Sequence, residues 1–570
     1  MRYRLLLAAV LSGLVLATGA RAGELRFVSS AELNTLDPQK MSWLQDIRIA
    51  QCLFEPLVVY RLPAGTVEGG AASSWDISPD QATYTFHLRP GAHWSNGDPV
   101  TAHDFIYAWR RAMLPDLASD YSYLLFRIRG AQAFFDWRNK QLEAYASAQD
   151  HSPAAAQALW DRARRHFART VGLEAPNPLT LVVHLEHPTP YFLELAAFCT
   201  FMPVDPASIA RFISINPDTG MLQQDPLWTR PGNLVSNGPY VLDRWRFKRD
   251  IHLAVNPTYW DRAAVKNDGI TQLTISEVLL SLIDYHRGDV QWLPDLPSTS
   301  PTVADLANAG RSDVHKVPMA GTYFYNFNCA PTLANGRRNP LADPRVRRAL
   351  ALTIDRRIIV TKITRLNQPI AYTFIPPGVI PGYSPPLPPQ PANPVAEARK
   401  LLAEAGYPGG RNLTGLSILY NTEGGHLAIA QTIQANWHQA LGVSVTLEGV
   451  EARMFSQRLR QHNFTISRAA WIGDYRDPTT FLDKFITGNG NNDAQYSNPA
   501  FDALMHQAEL QPDQARRMAI LEKAEALMLA DQPIAPIFHY VFVEMYDPRK
   551  VQGLESGPWN IHRLEFVSVK

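Results

Sequence analysis

Cysteine is scarce: Cys52, Cys199 and Cys329 are the only three in 570 residues. An odd count leaves at least one thiol unpaired, so a dense disulfide framework is excluded as the source of stability. Each sits among apolar or small neighbours, as in Cys52-Leu53-Phe54 and Phe198-Cys199-Thr200, which predicts buried structural thiols and leaves any pairing open. An excess of either charge is also missing, with 54 Lys and Arg against 53 Asp and Glu. No global field then draws in nucleic acid or an acidic membrane, and nucleic-acid binding is disfavoured. Beyond the N-terminal segment no stretch is apolar enough to span a bilayer. There is no phosphate-cradling Gly-x-x-x-x-Gly-Lys-Ser/Thr, no His-Glu-x-x-His, no Gly-x-Ser-x-Gly and no Cys-x-x-Cys. These absences lower the expectation of an enzyme, and no catalytic residue, metal ligand or cofactor is assigned. His184 and His187 are three apart on an expected strand, which sends their rings to opposite faces and favours a satisfied surface pair over a metal site.

The length exceeds what one hydrophobic core serves, so two or more domains are expected. In Met1 to Ala22, Arg2 and Arg4 precede the apolar run Leu5 to Ala17, and Ala20-Arg21-Ala22 ends it. This is the pattern of a cleavable export signal that leaves Gly23 first, and with no cysteine after it no lipid anchor is expected. Tyr84, Phe86 and Leu88 alternate as a half-buried strand. Asn96-Gly97 is a tight turn, and Thr101 with Asp104 predicts a capping box for a helix from Phe105 to Met113. Ser152-Pro153 opens an Ala-rich helix. Val346, Leu350, Ile354 and Ile358 predict one buried helical stripe. Pro376 to Pro394 reads as an extended covering loop. A helix over Leu427 to Leu441 ends at Gly442 and feeds a strand through Val443, Val445 and Leu447, which suggests α/β layering.

Ser467 to Phe481 is the stretch around which the rest is organised. Arg468 and Asp474 stand six apart, on one face of a strand, with Ala469, Ala470, Trp471 and Ile472 between them. A fixed cation, a fixed anion and a row of backbone groups suit an extended zwitterion such as a peptide. On spacing alone, a buried strand with ordinary rim charges is the alternative.

The pattern Arg-Ala-x-Trp-x-x-Asp-Tyr-x-x-Pro-x-x-Phe-Leu in this stretch resembles the binding strand of the periplasmic oligopeptide-binding proteins, the extracellular solute-binding family 5 of ABC importers. The likeness extends through Trp75, Tyr84, Phe86, Leu88, Trp94, Asn96-Gly97, Thr101-Ala102 and Asp104-Phe105, then Ser236 to Tyr240, Asn256 to Trp260 and Gly288-Asp289-Val290. It covers nearly all of the chain from Leu25 on. It implies an α/β fold of the type II periplasmic-binding kind, two lobes with an additional third domain and a hinge-closing cleft. The implied boundaries are 23–54, 200–319 and 540–570 for one discontinuous lobe, 55–199 for the extra domain and 320–539 for the lobe with the ligand strand. The implied function is capture of short peptides, di- to pentapeptides, by a monomer in the periplasm, and delivery to an inner-membrane permease with its ATPase subunits. Asp474 would hold the peptide's ammonium and Arg468 its carboxylate, with Ala470, Trp471 and Ile472 between them and further contacts at Tyr123, Leu44 and His426. Family members often carry a second arginine nine residues before Arg468. Here that position is Leu459, flanked by Arg458 and Arg460, and its loss is shared by the murein-tripeptide-binding branch. Murein tripeptide, nickel, haem or a bile-acid-like solute remain alternatives on the same fold. A secreted peptide hydrolase and a chaperone-like protein are the alternatives from other classes.

Overall fold

The computed structural model describes residues 23–61, 66–298, 300–422 and 425–570, so the export-signal segment lies outside the described residues. Three sheets of four or more strands organise the chain. The first runs in the order Leu25–Ser29, Gly269–Thr274, Asp250–Val255, Tyr240–Arg246, with its first pair parallel. The second, fully antiparallel, runs Ala72–Ile77, Thr83–Leu88, Thr180–His184, Leu173–Asn177. The third is mixed and six-stranded: Leu293–Leu296, Ile534–Met545, Val314–Phe327, Ile466–Ile472, Ser417–Asn421, Thr446–Val450. Helices cover these sheets, and the architecture is α/β.

Tyr84, Phe86 and Leu88 are buried on one face of the second sheet, as alternation predicts. The helix packed beside it spans Ala102–Met113, because the first turn of a capping box is itself helical. The Thr101 N–H donates to the Asp104 carboxylate at 2.8 Å, and the Trp94 indole N–H donates to the same group at 3.1 Å. Two sequence landmarks thus meet on one acceptor.

More distant landmarks converge on Glu55. Its buried carboxylate accepts the Tyr259 hydroxyl at 2.6 Å and the Trp260 indole N–H at 2.7 Å. The Asn237 amide brackets its backbone, accepting from the Glu55 N–H and donating to the Glu55 carbonyl, both at 2.9 Å. Burial pushes the Glu55 carboxyl up to about 7. These residues hold the scaffold together, and one apolar core, including Phe27, Trp109, Phe192 and Trp292, joins the first two sheets.

The six-stranded sheet has a core on each face. Tyr325, Ile418 and Trp437 belong to one, and Phe324, Phe374, Phe481 and Leu521 to the other. Val314–Phe327 is accordingly buried on both faces from Met319 onward.

Some local expectations are corrected. Val346, Leu350 and Ile354 are buried, but Ile358 is 42 % exposed. The helix Pro344–Leu352 ends, and Asp355 starts a new turn by accepting the Ile358 N–H at 3.0 Å, which rotates Ile358 outward. The strand expected from Val443 is paired over Thr446–Val450, while Val443 and Val445 are buried in the approach to it. All three cysteines are free, Cys52 and Cys199 fully buried and Cys329 partly so, and burial pushes the Cys199 thiol up to about 12. His184 bonds the Thr83 hydroxyl at 3.2 Å, and the His187 ring meets His506 edge-on. Among the described residues no helix is long and apolar enough to cross a membrane.

Candidate ligand cleft

The Ile466–Ile472 strand is paired along its whole length on one side only. Val314–Phe327 runs antiparallel to it from Phe327↔Ile466 to Gly321↔Ile472. On the other side, Ser417–Asn421 meets it only at Ile466 and Ser467. The Gly473 N–H donates to the Ala320 carbonyl at 2.8 Å, which fixes the alternation of the ladder. Ala469, Trp471 and Gly473 turn their backbone toward the neighbouring strand, so Ala470 and Ile472 turn theirs to the open edge. Unpaired edge groups are a template for another extended chain.

That edge borders a cavity of about 380 Å³. Of the eight residues expected at the site, Leu44, Tyr123, Ala470, Trp471, Ile472 and Asp474 line it. Tyr121, Phe198 and Trp559 line it as well, and none of these three was expected. These lining residues therefore come from five separate parts of the chain, around Leu44, Tyr121, Phe198, Trp471 and Trp559.

Asp474 is half-buried just past the end of the strand. It accepts the Tyr121 hydroxyl at 2.8 Å, and its own N–H donates to Thr480 Oγ1 at 2.9 Å. Among the described residues no cation pairs with it. Burial pushes its carboxyl up to about 6, and the Tyr121 hydrogen bond acts in the opposite direction. Tyr121 is itself held edge-on by Phe198, with ring centroids 4.9 Å apart. The Tyr121-Ser122-Tyr123 triplet offers two rings, and the turn that starts at Ser122 decides which hydroxyl reaches the carboxylate.

Trp471 is fixed by the loop that follows it. Its indole N–H donates to the Thr480 carbonyl at 2.6 Å, and the Lys484 ammonium lies 5.2 Å from its ring centroid. Thr480 thus holds both Trp471 and the backbone of Asp474. This gives the downstream half of the motif, Pro478 to Phe481, a physical role.

Arg468 and His426 are not brought into this cavity. Arg468 donates through Nε to Asn421 Oδ1 at 2.7 Å and lies 5.1 Å from the Phe455 ring. The His426 ring is buried, and its Nδ1 meets the Tyr323 hydroxyl at 3.1 Å. Leu459 packs against a small apolar cluster of Leu419, Phe455 and Phe464. Arg458 beside it is engaged by Glu448 at 2.6 Å.

Three long-range contacts lie beside the same region. Arg127 pairs with Asp483 at 2.8 Å, Arg476 with Glu194 at 2.7 Å, and Tyr191 stacks on Tyr475 with centroids 5.6 Å apart. Among the described residues, no group of three or more His, Cys, Asp or Glu side chains is placed to hold a metal ion.

Residues 66–493 match the model of the bacterial extracellular solute-binding proteins, family 5 Middle. The chain is 33% identical over 534 residues to the periplasmic oligopeptide-binding protein OppA of Escherichia coli, covering 91% of this chain and 88% of that protein. The solved murein tripeptide binding protein MppA of Escherichia coli superimposes with a TM-score of 0.76 at 30% identity, over 96% of this chain and 99% of that one. Haemophilus influenzae OppA, in complex with the peptide RPPGFSPFR, gives a TM-score of 0.73 at 29% identity, over 96% and 99% of the two chains. The chain belongs to the bacterial extracellular solute-binding proteins of family 5.

Proposed function

We propose that this protein captures short peptides in the cleft beside Asp474 and delivers them, in the periplasm, to an inner-membrane ABC permease with its ATPase subunits. The observation that carries the reading is a half-buried carboxylate with no cationic partner among the described residues, beside an open strand edge at Ala470 and Ile472. An α-ammonium supplies the missing cation, and the peptide backbone supplies the missing strand. Backbone recognition leaves side-chain identity largely free. The relatives named above are peptide binders by name, which supports the same class of ligand.

Closure is assigned to the boundary between 200–319 plus 540–570 and 320–539. The two strands that cross it, Val314–Phe327 and Ile534–Met545, lose register between Pro318↔Val541 and Thr322↔His539. A break in two long paired strands is a natural place for a hinge to absorb backbone rotation. The extra domain, 55–199, then closes the cleft through Tyr121 and Arg127.

A thermal-shift screen tests this directly. At about 100 times the dissociation constant, a free tripeptide stabilises the fold by roughly 2.7 kcal/mol, and the N-acetylated peptide gives no shift. Stabilisation by murein tripeptide alone would narrow the ligand to that class, and equal stabilisation by acetylated and free peptides would overturn the role of Asp474.

Affinity should also depend on pH. An ammonium binds the ionised form of Asp474, whose carboxyl titrates at about 6 in the unliganded protein. Binding is therefore expected to be level between that value and the point where the peptide's own α-ammonium loses its proton, at about 7.7–8.0, and to weaken by up to about tenfold per pH unit below about 6. Calorimetric titrations at pH 7.5, 6 and 5 measure this; a flat profile would place the ammonium elsewhere.

A further inference from the structure

A second cleft, of about 540 Å³, lies between the helix Ala102–Met113, the helix Pro153–Thr170 and the hairpin of Ile213–Ile215 with Leu222–Gln224. None of these segments lines the cavity at Asp474. The lining contains Arg110, Arg111 and Arg164 and no carboxylate. Arg111 is already paired through both terminal nitrogens, with Asp37 at 2.7 Å and the Gln224 side chain at 2.6 Å. Arg164 pairs with Asp161 at 2.9 Å.

Arg110, which is partly buried, has no carboxylate partner, and among the described residues it also lacks the backbone carbonyls that hold the buried Arg347 and Arg356. Arg48, Arg111, Arg138 and Arg517 face Asp295, Asp37, Asp116 and Asp477. Among the described residues no carboxylate lies within ion-pair distance of Arg110, whereas its unpartnered buried Nε is a feature it shares with Arg48, Arg111 and Arg517. The rings of Tyr107, Trp160 and Phe167 surround its guanidinium at 5.4, 5.8 and 5.8 Å. A guanidinium keeps its proton, so burial cannot neutralise it, and ring faces offset only part of the lost hydration. Its pKa is pulled down by that burial, with Arg164 acting in the same direction.

The walls are braced before any ligand arrives. Asp116, itself paired with Arg138 at 2.6 Å, accepts the Leu222 N–H at 2.7 Å and pins one strand of the hairpin, while Arg111 holds Gln224. The remaining lining is mostly apolar, with Trp160, Leu114 and Ile213 facing the space. Its size is that of a small-molecule site. We propose that this cleft binds a small amphipathic organic anion, a carboxylate or sulfonate on a ring-bearing body. Arg110 takes the acid group, and Trp160, Leu114 and Ile213 take the apolar body. A planar fork of donors beside aromatic walls suits such a ligand.

Fluorescence titration of the mature protein with anilinonaphthalene sulfonate tests the site, with the uncharged N-phenylnaphthylamine as control. One saturable site is expected, with the uncharged probe at least tenfold weaker. Arg110→Met should weaken the sulfonate at least tenfold without lowering the melting temperature, because it removes an uncompensated charge. Ser214→Trp, on the exposed hairpin, should block the cleft while leaving Arg110 in place. Saturating tripeptide and Asp474→Asn should leave the titration unchanged, which separates this site from the peptide cleft. Equal sulfonate affinity in the parent, Arg110→Met and Ser214→Trp, or full displacement by tripeptide, would overturn the proposal.

Discussion

Asp474→Asn is expected to weaken binding of a free tripeptide by a hundredfold or more while leaving the unliganded protein at least as stable as the parent. The two effects share one cause. In the unliganded cleft the carboxylate is half-buried without a cation among the described residues, and its carboxyl titrates at about 6 against 3.8 when exposed. A raised folded-state value means that the fold holds the proton more tightly than the unfolded chain does. The stability so gained is fully present below 3.8 and is lost as pH rises through about 6. At pH 7.5 the charge is therefore a burden on the fold, on the order of 1 kcal/mol once screening at the cavity mouth is allowed for. Asparagine removes the burden and keeps an acceptor for the Tyr121 hydroxyl. When peptide is bound, the same charge is compensated by the ammonium. Removing one partner of such a pair costs about 2–5 kcal/mol, and about 2.7 kcal/mol corresponds to a hundredfold. Calorimetry and thermal melts on the same two proteins at pH 7.5 decide it. Unchanged affinity would remove Asp474 from the ligand contact, and a large loss of melting temperature would make it a structural residue.

What was legible in the chain follows the range over which each feature is encoded. Tyr84, Phe86 and Leu88 carry a period that a strand must obey, and Thr101 with Asp104 carries a cap that needs no distant partner. Trp471 and Asp474 were legible because their motif is contiguous and the strand that bears them is local. Tyr121 was not assigned because its bond to Asp474 spans 353 positions. Phe198 and Trp559 reach the cavity in the same long-range way, with no local period to mark them. Arg468 marks the opposite limit. Even spacing does place it on the strand, but Asn421, from the adjoining strand, takes its guanidinium. Ile358 shows that a four-residue period holds only while the helix does, and Asp355 ends it by capping a new turn. Glu55 is of the same long-range kind, since the reason for its carboxylate appears only where Tyr259 and Trp260 converge on it.

Arg517→Met is expected to cost the fold about 3–5 kcal/mol and to weaken peptide binding by a residue that never touches the ligand. Arg517, on the helix Gln514–Asp531, donates to both oxygens of Asp477, at 2.6 and 2.8 Å, with both side chains about 1% exposed. Asp477 Oδ1 also accepts the Thr479 N–H at 3.1 Å and the Thr479 hydroxyl at 2.8 Å. The pair thus anchors the turn that presents Thr480 to Asp474 and to Trp471. The Arg517 guanidinium also lies 4.8 Å from the ring of Tyr191, which stacks on Tyr475, so the brace extends to the residue that follows Asp474. Methionine fills much of the same volume but leaves a buried carboxylate without its cation. For a unit the size of one lobe the loss corresponds to a fall in melting temperature of about 10 °C. The double variant Arg517→Met with Asp477→Asn removes the stranded charge and should regain most of the stability. It should not regain the peptide affinity, because the neutral amide no longer anchors the Thr479 turn through a charge-assisted contact. Melts and calorimetry on the single and double variants separate the two roles. Equal instability in both would assign the loss to packing around Tyr191, and full recovery of affinity in the double variant would show that the turn holds Asp474 in place without its brace.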